Sequence, residues 1–236
     1  SSDPGDDMQR RLRYQAIYAA SLSLSLILNK SEFDYLFCEH HEDVLVKRKD
    51  GKFIGIQVKT QASGKPFSAT SEPILNSLRR FIHLEIQFPG LFHGYILATN
   101  CGFGKKSKRK NNLPYLLDVI KDGSSDFLNS HDNQLNSFIG NLDKDKLYSP
   151  NIIYRTLKKV DISDRELSLD HAKYQLINEL SKLPGVRETD YGKLQKAVEQ
   201  LTYKMFGAAS LEFSCPQPLY FSLLNSSEDE KRKVVI

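Results

Sequence analysis

The sequence is short of cysteine and has no tryptophan: Cys38, Cys101 and Cys215 are the only three cysteines in 236 residues. Their odd number, and the lack of any C-x-x-C pair, leave neither a disulfide framework nor a cysteine zinc centre, and a reducing cytoplasm is the expected compartment. No G-x-x-x-x-G-K-[ST] loop is present, and Gly102-Phe103-Gly104-Lys105 is far too short to serve as one. No G-x-S-x-G elbow occurs, so serine hydrolysis has no support. No apolar run is long enough to span a bilayer. Arg10-Arg11-Leu12-Arg13 followed by Ala16–Leu28 mimics a signal peptide, but the polar Asn29-Lys30-Ser31-Glu32 stands where a small-residue cleavage site belongs. There is no internal repeat. Excess charge is slight as well, and a net +4 selects no partner.

The apolar content of 40% and the charged content of 26% are those of an ordinary globular chain. Its length suits one large domain, or a domain of about 150 residues with a helical piece appended. Met8 to Leu28 predicts a long helix whose nearly all-apolar second half is buried against a sheet, although SLSLSL alternates like a strand. Phe33 to Phe37 predicts a strand. Ser68 to Glu72 offers caps for a helix running to about Phe88, with a proline at a tolerated early position and Pro89-Gly90 as its stop. Leu91 to Thr99 predicts a central strand, Leu113 to Lys121 a short helix, and Ile152 to Val160 a further strand. Past Gly123 the texture turns polar and then amphipathic. Helices are expected over Asp164–Leu183 and Asp190–Phe206, split by Pro184-Gly185, and the tail SEDEKRKVVI reads as a boundary or the start of a further segment. The expected division is therefore a core of residues 1–123 and a mainly helical extension of residues 124–236.

The stretch from Cys38 to Gln61 carries the chemistry. It reads as two strands joined by a tight turn at Asp50-Gly51. Side chains alternate along a strand, so Gln57 and Lys59 share one face while Ile56 and Val58 take the other. A hairpin would bring that polar face beside Asp43, which has Glu39 four residues before it. Phosphodiester hydrolysis needs an activated water and a neutraliser of phosphate charge. A carboxylate-held divalent cation with a lysine supplies both. In this reading Asp43 is the metal ligand and Glu39 a second carboxylate. Gln57 offers an amide oxygen, Val58 a backbone carbonyl, and Lys59 meets the water and the scissile phosphate. Hard oxygen ligands suit Mg²⁺ or Mn²⁺ better than Zn²⁺. His40-His41 cannot both face such a site, because strand neighbours point to opposite sides.

Asp43 followed by Gln57-x-Lys59 resembles the PD-(D/E)xK nuclease superfamily in its QxK variant. The longer string, Tyr14-Gln15 on the first helix, then CEHHEDVLV, a glycine turn and IQVKTQ, resembles the endonuclease domain of CD-NTase-associated effectors of cyclic-oligonucleotide (CBASS) antiphage defence, shared with Lamassu-type systems. The resemblance is good over about Asp6 to Gln61 and loose beyond. It implies an α/β restriction-endonuclease-like fold: a mixed central sheet flanked by helices, with C-terminal helical decoration. It also implies Mg²⁺-dependent cleavage of double-stranded DNA in the bacterial cytoplasm and activity after self-association. A cyclic-oligonucleotide-binding or SMC-like module is implied too, either as a further domain beyond Ile236 or as a partner subunit. Asp43, Gln57 and Lys59 match position by position; Glu39 and the supporting Gln15 follow with them. Gln57 departs from the superfamily's usual second acid, which bears on metal affinity.

Lys105, Lys106, Lys108, Arg109 and Lys110 crowd one six-residue window. In a nuclease they grip phosphates and make binding salt-dependent; the same composition fits a solvated loop or a nuclear-localisation segment. Two other readings of the chain stay open: a non-catalytic nucleic-acid-binding or assembly module of the same fold, and an RNA or single-strand nuclease with the same residues.

Overall fold

The computed structural model describes residues 4–28, 33–40, 42–61, 65–104, 112–123, 133–164, 169–182, 191–209 and 233–235. They form two compact units, one of residues 1–52 with 167–236 and the other of residues 53–166. The strands are mixed in direction, antiparallel in the first unit and parallel in the second.

In the first unit α1 (Pro4–Leu28) leads into β1 (Phe33–His40) and β2 (Glu42–Arg48). The unit is completed by α6 (Leu169–Ser181), α7 (Tyr191–Ala209) and β6 (Lys233–Val235). β1 lies between β2 and β6, antiparallel to both, with Cys38 opposite Val44 and Tyr35 opposite Val235. Ala16, Ile17 and Ala20 of α1 are buried, as are Leu36 and Phe37 of β1 and Val44 to Val46 of β2. The SLSLSL alternation does not break the helix, which runs on to Leu28. At the end of β2 the chain turns on Asp50-Gly51, as its residues predict. Gly51 takes a φ of 81°, which a glycine adopts without a Cβ penalty. Its N–H donates to the Arg48 carbonyl at 3.0 Å, and Arg48 N–H donates to the Lys52 carbonyl at 2.8 Å.

The second unit begins with β3 (Phe53–Lys59) and continues through α2 (Glu72–Gln87), β4 (Phe92–Thr99), α3 (Leu113–Asp122), α4 (Asn133–Leu142), α5 (Pro150–Lys158) and β5 (Val160–Asp164). β4 is the central strand, parallel to β3 on one side and β5 on the other. Parallel strands covered on both faces read as continuous apolar runs, and β4 does so, with Tyr95, Leu97 and Ala98 buried. Tyr95 stacks between Phe81 of α2 and Phe92 of its own strand, with ring centroids 4.7 and 5.1 Å away. Ile74, Leu78, Phe81, Ile82 and Glu85 put the inner face of α2 at helical spacing.

Two expectations change. Residues 150–158 are helix rather than strand, with Ser149 accepting from the Ile152 N–H and Pro150 in the first turn. The buried residues Ile153, Tyr154 and Leu157 follow the helical period; only Val160 onward is strand. β1 extends through Cys38 to His40, so Glu39 belongs to β1 and Asp43 to β2. Past residue 123, α4 packs on α2, while α6 and α7 pack on α1. Residues 124–236 are therefore shared between two cores, and the tail's Lys233–Val235 pairs with β1.

Candidate active site

β3 has the sequence FIGIQVK, and its alternation does what the period of two requires. Ile56 and Val58 are fully buried on one side, and Gln57 and Lys59 lie together on the other. Lys59 Nζ donates to Gln57 Oε1 at 2.5 Å, a charge-assisted bond that holds the ammonium against its own strand. Gln57 is 4% exposed, so its amide is a buried polar group oriented by that bond. Lys59 pairs in register with Thr99 at the carboxyl end of the parallel strands, the end at which open α/β sheets receive ligands.

The backbone beyond Lys59 is fixed by groups the motif does not reveal. Asn100 N–H donates to the Lys59 carbonyl at 3.3 Å. The Asn100 side chain then bonds both ways with Gln61, accepting from its N–H at 2.9 Å and donating to its carbonyl at 3.1 Å. This amide continues the ladder in place of backbone. Thr99 Oγ1 accepts from the Gly102 N–H at 2.9 Å, and the Phe67 N–H donates to the Gly102 carbonyl at 3.0 Å. Thr99 and Asn100 position the site, and their only trace in the sequence is a pair of polar residues ending an apolar strand.

In the first unit Asp43 stands on β2, 7% exposed, directly before the buried run Val44 to Val46. The register pairs Cys38 with Val44 and His40 with Glu42, which sets Glu39 across from Asp43 on the neighbouring strand. Gln15 faces inward on α1, 3% exposed, between the buried Tyr14 and Ala16. Neither its amide nitrogen nor its amide oxygen has a hydrogen-bond partner among the described residues. A buried amide left unpaired costs about 1–3 kcal/mol, so Gln15 has both a donor and an acceptor to offer a ligand. Among the described residues no three His, Cys, Asp or Glu side chains converge as a metal cluster. The side-chain oxygens of Asp43 and Gln57 are each hard donors of the kind that Mg²⁺ or Mn²⁺ accepts. The predicted phosphate-gripping residues Lys105, Lys106, Lys108, Arg109 and Lys110 lie outside the described residues.

Residues 3–207 match the family model described as Cap4, dsDNA endonuclease domain. The chain belongs to this family. A Moraxella osloensis Cap4 receptor containing a SAVED/CARF domain has a similar fold, with a TM-score of 0.51 and 18% identity over 84% of this chain and 43% of that one. An Acinetobacter baumannii Cap4 receptor, solved with the cyclic trinucleotide 3'3'3'-cAAA, aligns at 14% identity over 80% of this chain and 40% of its own, with a TM-score of 0.46. This chain thus spans less than half the length of these solved receptors. No curated protein matches it. The Cap4 match covers α1, Asp43, Gln57 and Lys59 and extends through α6 nearly to the end of α7.

Proposed function

We propose that this chain is the nuclease portion of a CBASS antiphage effector, and that it cuts double-stranded DNA by metal-dependent phosphodiester hydrolysis. The observation that carries this reading is the Cap4 endonuclease-domain match over residues 3–207. Asp43, with Glu39 across the ladder, supplies the carboxylate charge for one Mg²⁺ or Mn²⁺. Gln57 adds a neutral oxygen, and the Val58 carbonyl completes the strand's contribution. A bound divalent cation would neutralise phosphate charge and acidify a water molecule.

The residues suit these roles chemically. An amide oxygen is a hard neutral donor, so Gln57 Oε1, which accepts from Lys59, is of the type that a divalent cation or its water takes. The bond to Gln57 pre-positions the Lys59 ammonium, which then needs little reorganisation to meet a non-bridging phosphate oxygen or orient the attacking water. Gln15 contributes its unpaired amide as a further contact from α1, and the Lys105–Lys110 window grips the DNA backbone. The whole effector acts in the bacterial cytoplasm, where a sensing module that binds a cyclic oligonucleotide, or an SMC-like partner, brings copies together so that both strands are cut.

The test is supercoiled-plasmid cleavage at high protein concentration with Mg²⁺, with Mn²⁺ and with EDTA, alongside Lys59→Ala. The expected result is metal-dependent linearisation or degradation that falls by about 10²-fold or more in the variant. Equal cutting by Lys59→Ala would remove this site from the reaction. Failure of the complete effector to cut with its activator present would favour the non-catalytic binding module.

A further inference from the structure

The amino end of α1 carries a basic face that the proposed chemistry leaves unused. Arg10, Arg11 and Arg13 are exposed, whereas Tyr14 to Ile17 are buried. Three of the chain's eleven arginines fall in this window of four residues, and α1 has no other lysine or arginine. Cations stabilise a helix from its last turn, where α1 has none, so compensation of the helix dipole does not account for them. At 100° per residue Arg13, Arg10 and Arg11 span an arc of about 160°, with the half-buried Leu12 on the opposite side. Arg11 and Arg13 make no ion pair or hydrogen bond with another described residue, although Asp170 and Glu199 line the same cleft as Arg13.

This face stands at the Asp43 end of its unit. α1 ends at Leu28, β1 begins at Phe33, and α1 packs on both β1 and β2. A connection so short returns the chain along the helix it has just left. From Arg13 to Leu28 the helix rises about 22 Å, and from Phe33 to Glu39 the strand rises about 20 Å. The arginines therefore come level with Glu39 and, through the ladder, with Asp43. We infer that Arg11 and Arg13 grip the DNA backbone beside the cut, each holding one phosphate. A planar guanidinium meets a phosphate with two parallel hydrogen bonds, a geometry closed to lysine. One packed layer is about 10 Å thick, so the gripped phosphates flank the scissile one. The contact reads charge and not sequence. The identity of its ligand rests on the nuclease reading, and its test is a binding measurement in which nothing is cut.

The experiment is fluorescence anisotropy of a labelled duplex of about 20 base pairs, titrated with the full 236-residue chain in EDTA over a series of salt concentrations. Each neutralised phosphate adds about 0.9 to the steepness of log K against log salt. Arg11→Gln and Arg13→Gln are each expected to make the slope shallower by about that amount, and the double variant by about 1.8. Replacing both by lysine keeps the charge and hence the slope, while binding weakens. Lys144→Gln, an equal charge change at an exposed position of the second unit, is expected to keep the wild-type slope. All the altered side chains are exposed, and circular dichroism checks that the fold is kept. A wild-type chain that does not bind the duplex at low salt overturns the inference. So do glutamine variants with the wild-type slope, or a Lys144→Gln slope reduced as much as theirs. Displacement of the duplex by polyglutamate at equal charge concentration would also overturn it, assigning the arginines to an acidic protein. Reduced slopes in a chain that never cuts DNA with metal present would sustain the contact and sink the nuclease reading alone.

Discussion

Glu85 offers the sharpest test of how the second unit is held together. Its side chain is fully buried on α2, yet it serves three partners. Lys159 Nζ donates to Oε1 at 2.7 Å and also to the Phe92 carbonyl at 3.1 Å. Tyr95 O–H donates to Oε2 at 3.1 Å, and Arg155 reaches Oε1 only at 3.4 Å. One carboxylate therefore ties α2 to the amino ends of β4 and β5. Removing one member of a buried pair costs about 3–5 kcal/mol when the survivor is trapped. In Glu85→Ala the survivors differ. Lys159 and Arg155 are 27% and 49% exposed and regain water, which reduces the loss. The Tyr95 hydroxyl is buried and loses its bond to Oε2, adding about 1 kcal/mol or more. The expected net cost is about 2–4 kcal/mol, or a melting temperature lower by roughly 5–15 °C for a chain of this size. Glu85→Gln keeps polar partners for both bonds and should cost only about 1 kcal/mol. Arg155→Ala, losing a long bond at a half-exposed side chain, should cost less than about 0.5 kcal/mol. Thermal and urea unfolding followed by circular dichroism measure all three. If Glu85→Ala falls within about 0.5 kcal/mol of wild type, or Arg155→Ala is the costlier change, the reasoning is refuted.

Further outcomes follow from single contacts. The Asp50 carboxyl is held below the ordinary carboxylate range, chiefly by the Lys52 N–H at 3.0 Å and then by Arg48 at 3.1 Å. A lowered folded-state value means that its contribution is present above the unfolded pKa and is lost as pH falls through the folded one. The hydrogen-exchange protection factor of the Lys52 amide should therefore decline on acidification below the ordinary carboxylate range, and Asp50→Ala should abolish that dependence. Asn112 is buried and caps α3, accepting from the Tyr115 N–H at 2.9 Å while its amide donates to the Gly104 carbonyl. Asn112→Ala should lower stability by about 1–2 kcal/mol in urea unfolding. Gln57→Glu restores a negative charge beside Lys59; if Oε1 faces the cation, the Mg²⁺ concentration for half-maximal plasmid cleavage should fall about tenfold. An unchanged Mg²⁺ requirement would exclude Gln57 as a ligand.

What the sequence made legible lies within a few residues of itself. Asp50-Gly51 announces a turn because the φ of 81° at Gly51 is open to glycine and closed to most side chains. The Gln57–Lys59 bond follows from the period of two, since residues i and i+2 share a strand face whatever surrounds them. The segment from residue 150 failed for the opposite reason. Its adjacent Ile152 and Ile153 favour a strand by propensity, but Ser149 and Pro150 start a helix, and burial of Ile153 and Leu157 one turn apart decides the matter. Propensity lost to capping and packing.

The division into units was out of reach for a different reason. α1 packs against α6 and α7 across a separation of more than a hundred residues, and Val235 closes a ladder on Tyr35. Nothing in the composition near Gly123 records those contacts, so the change in local texture there does not reveal which later segments pack on α1 and which on α2. The same gap explains why Asn100 went unseen. It becomes a positioning residue only because β4 lies parallel to β3 in a register that sets Thr99 beside Lys59 and brings its amide onto the Gln61 backbone. A motif names the atoms that do chemistry, whereas the groups that hold those atoms still are chosen by strand pairing, which a strand's own sequence does not encode.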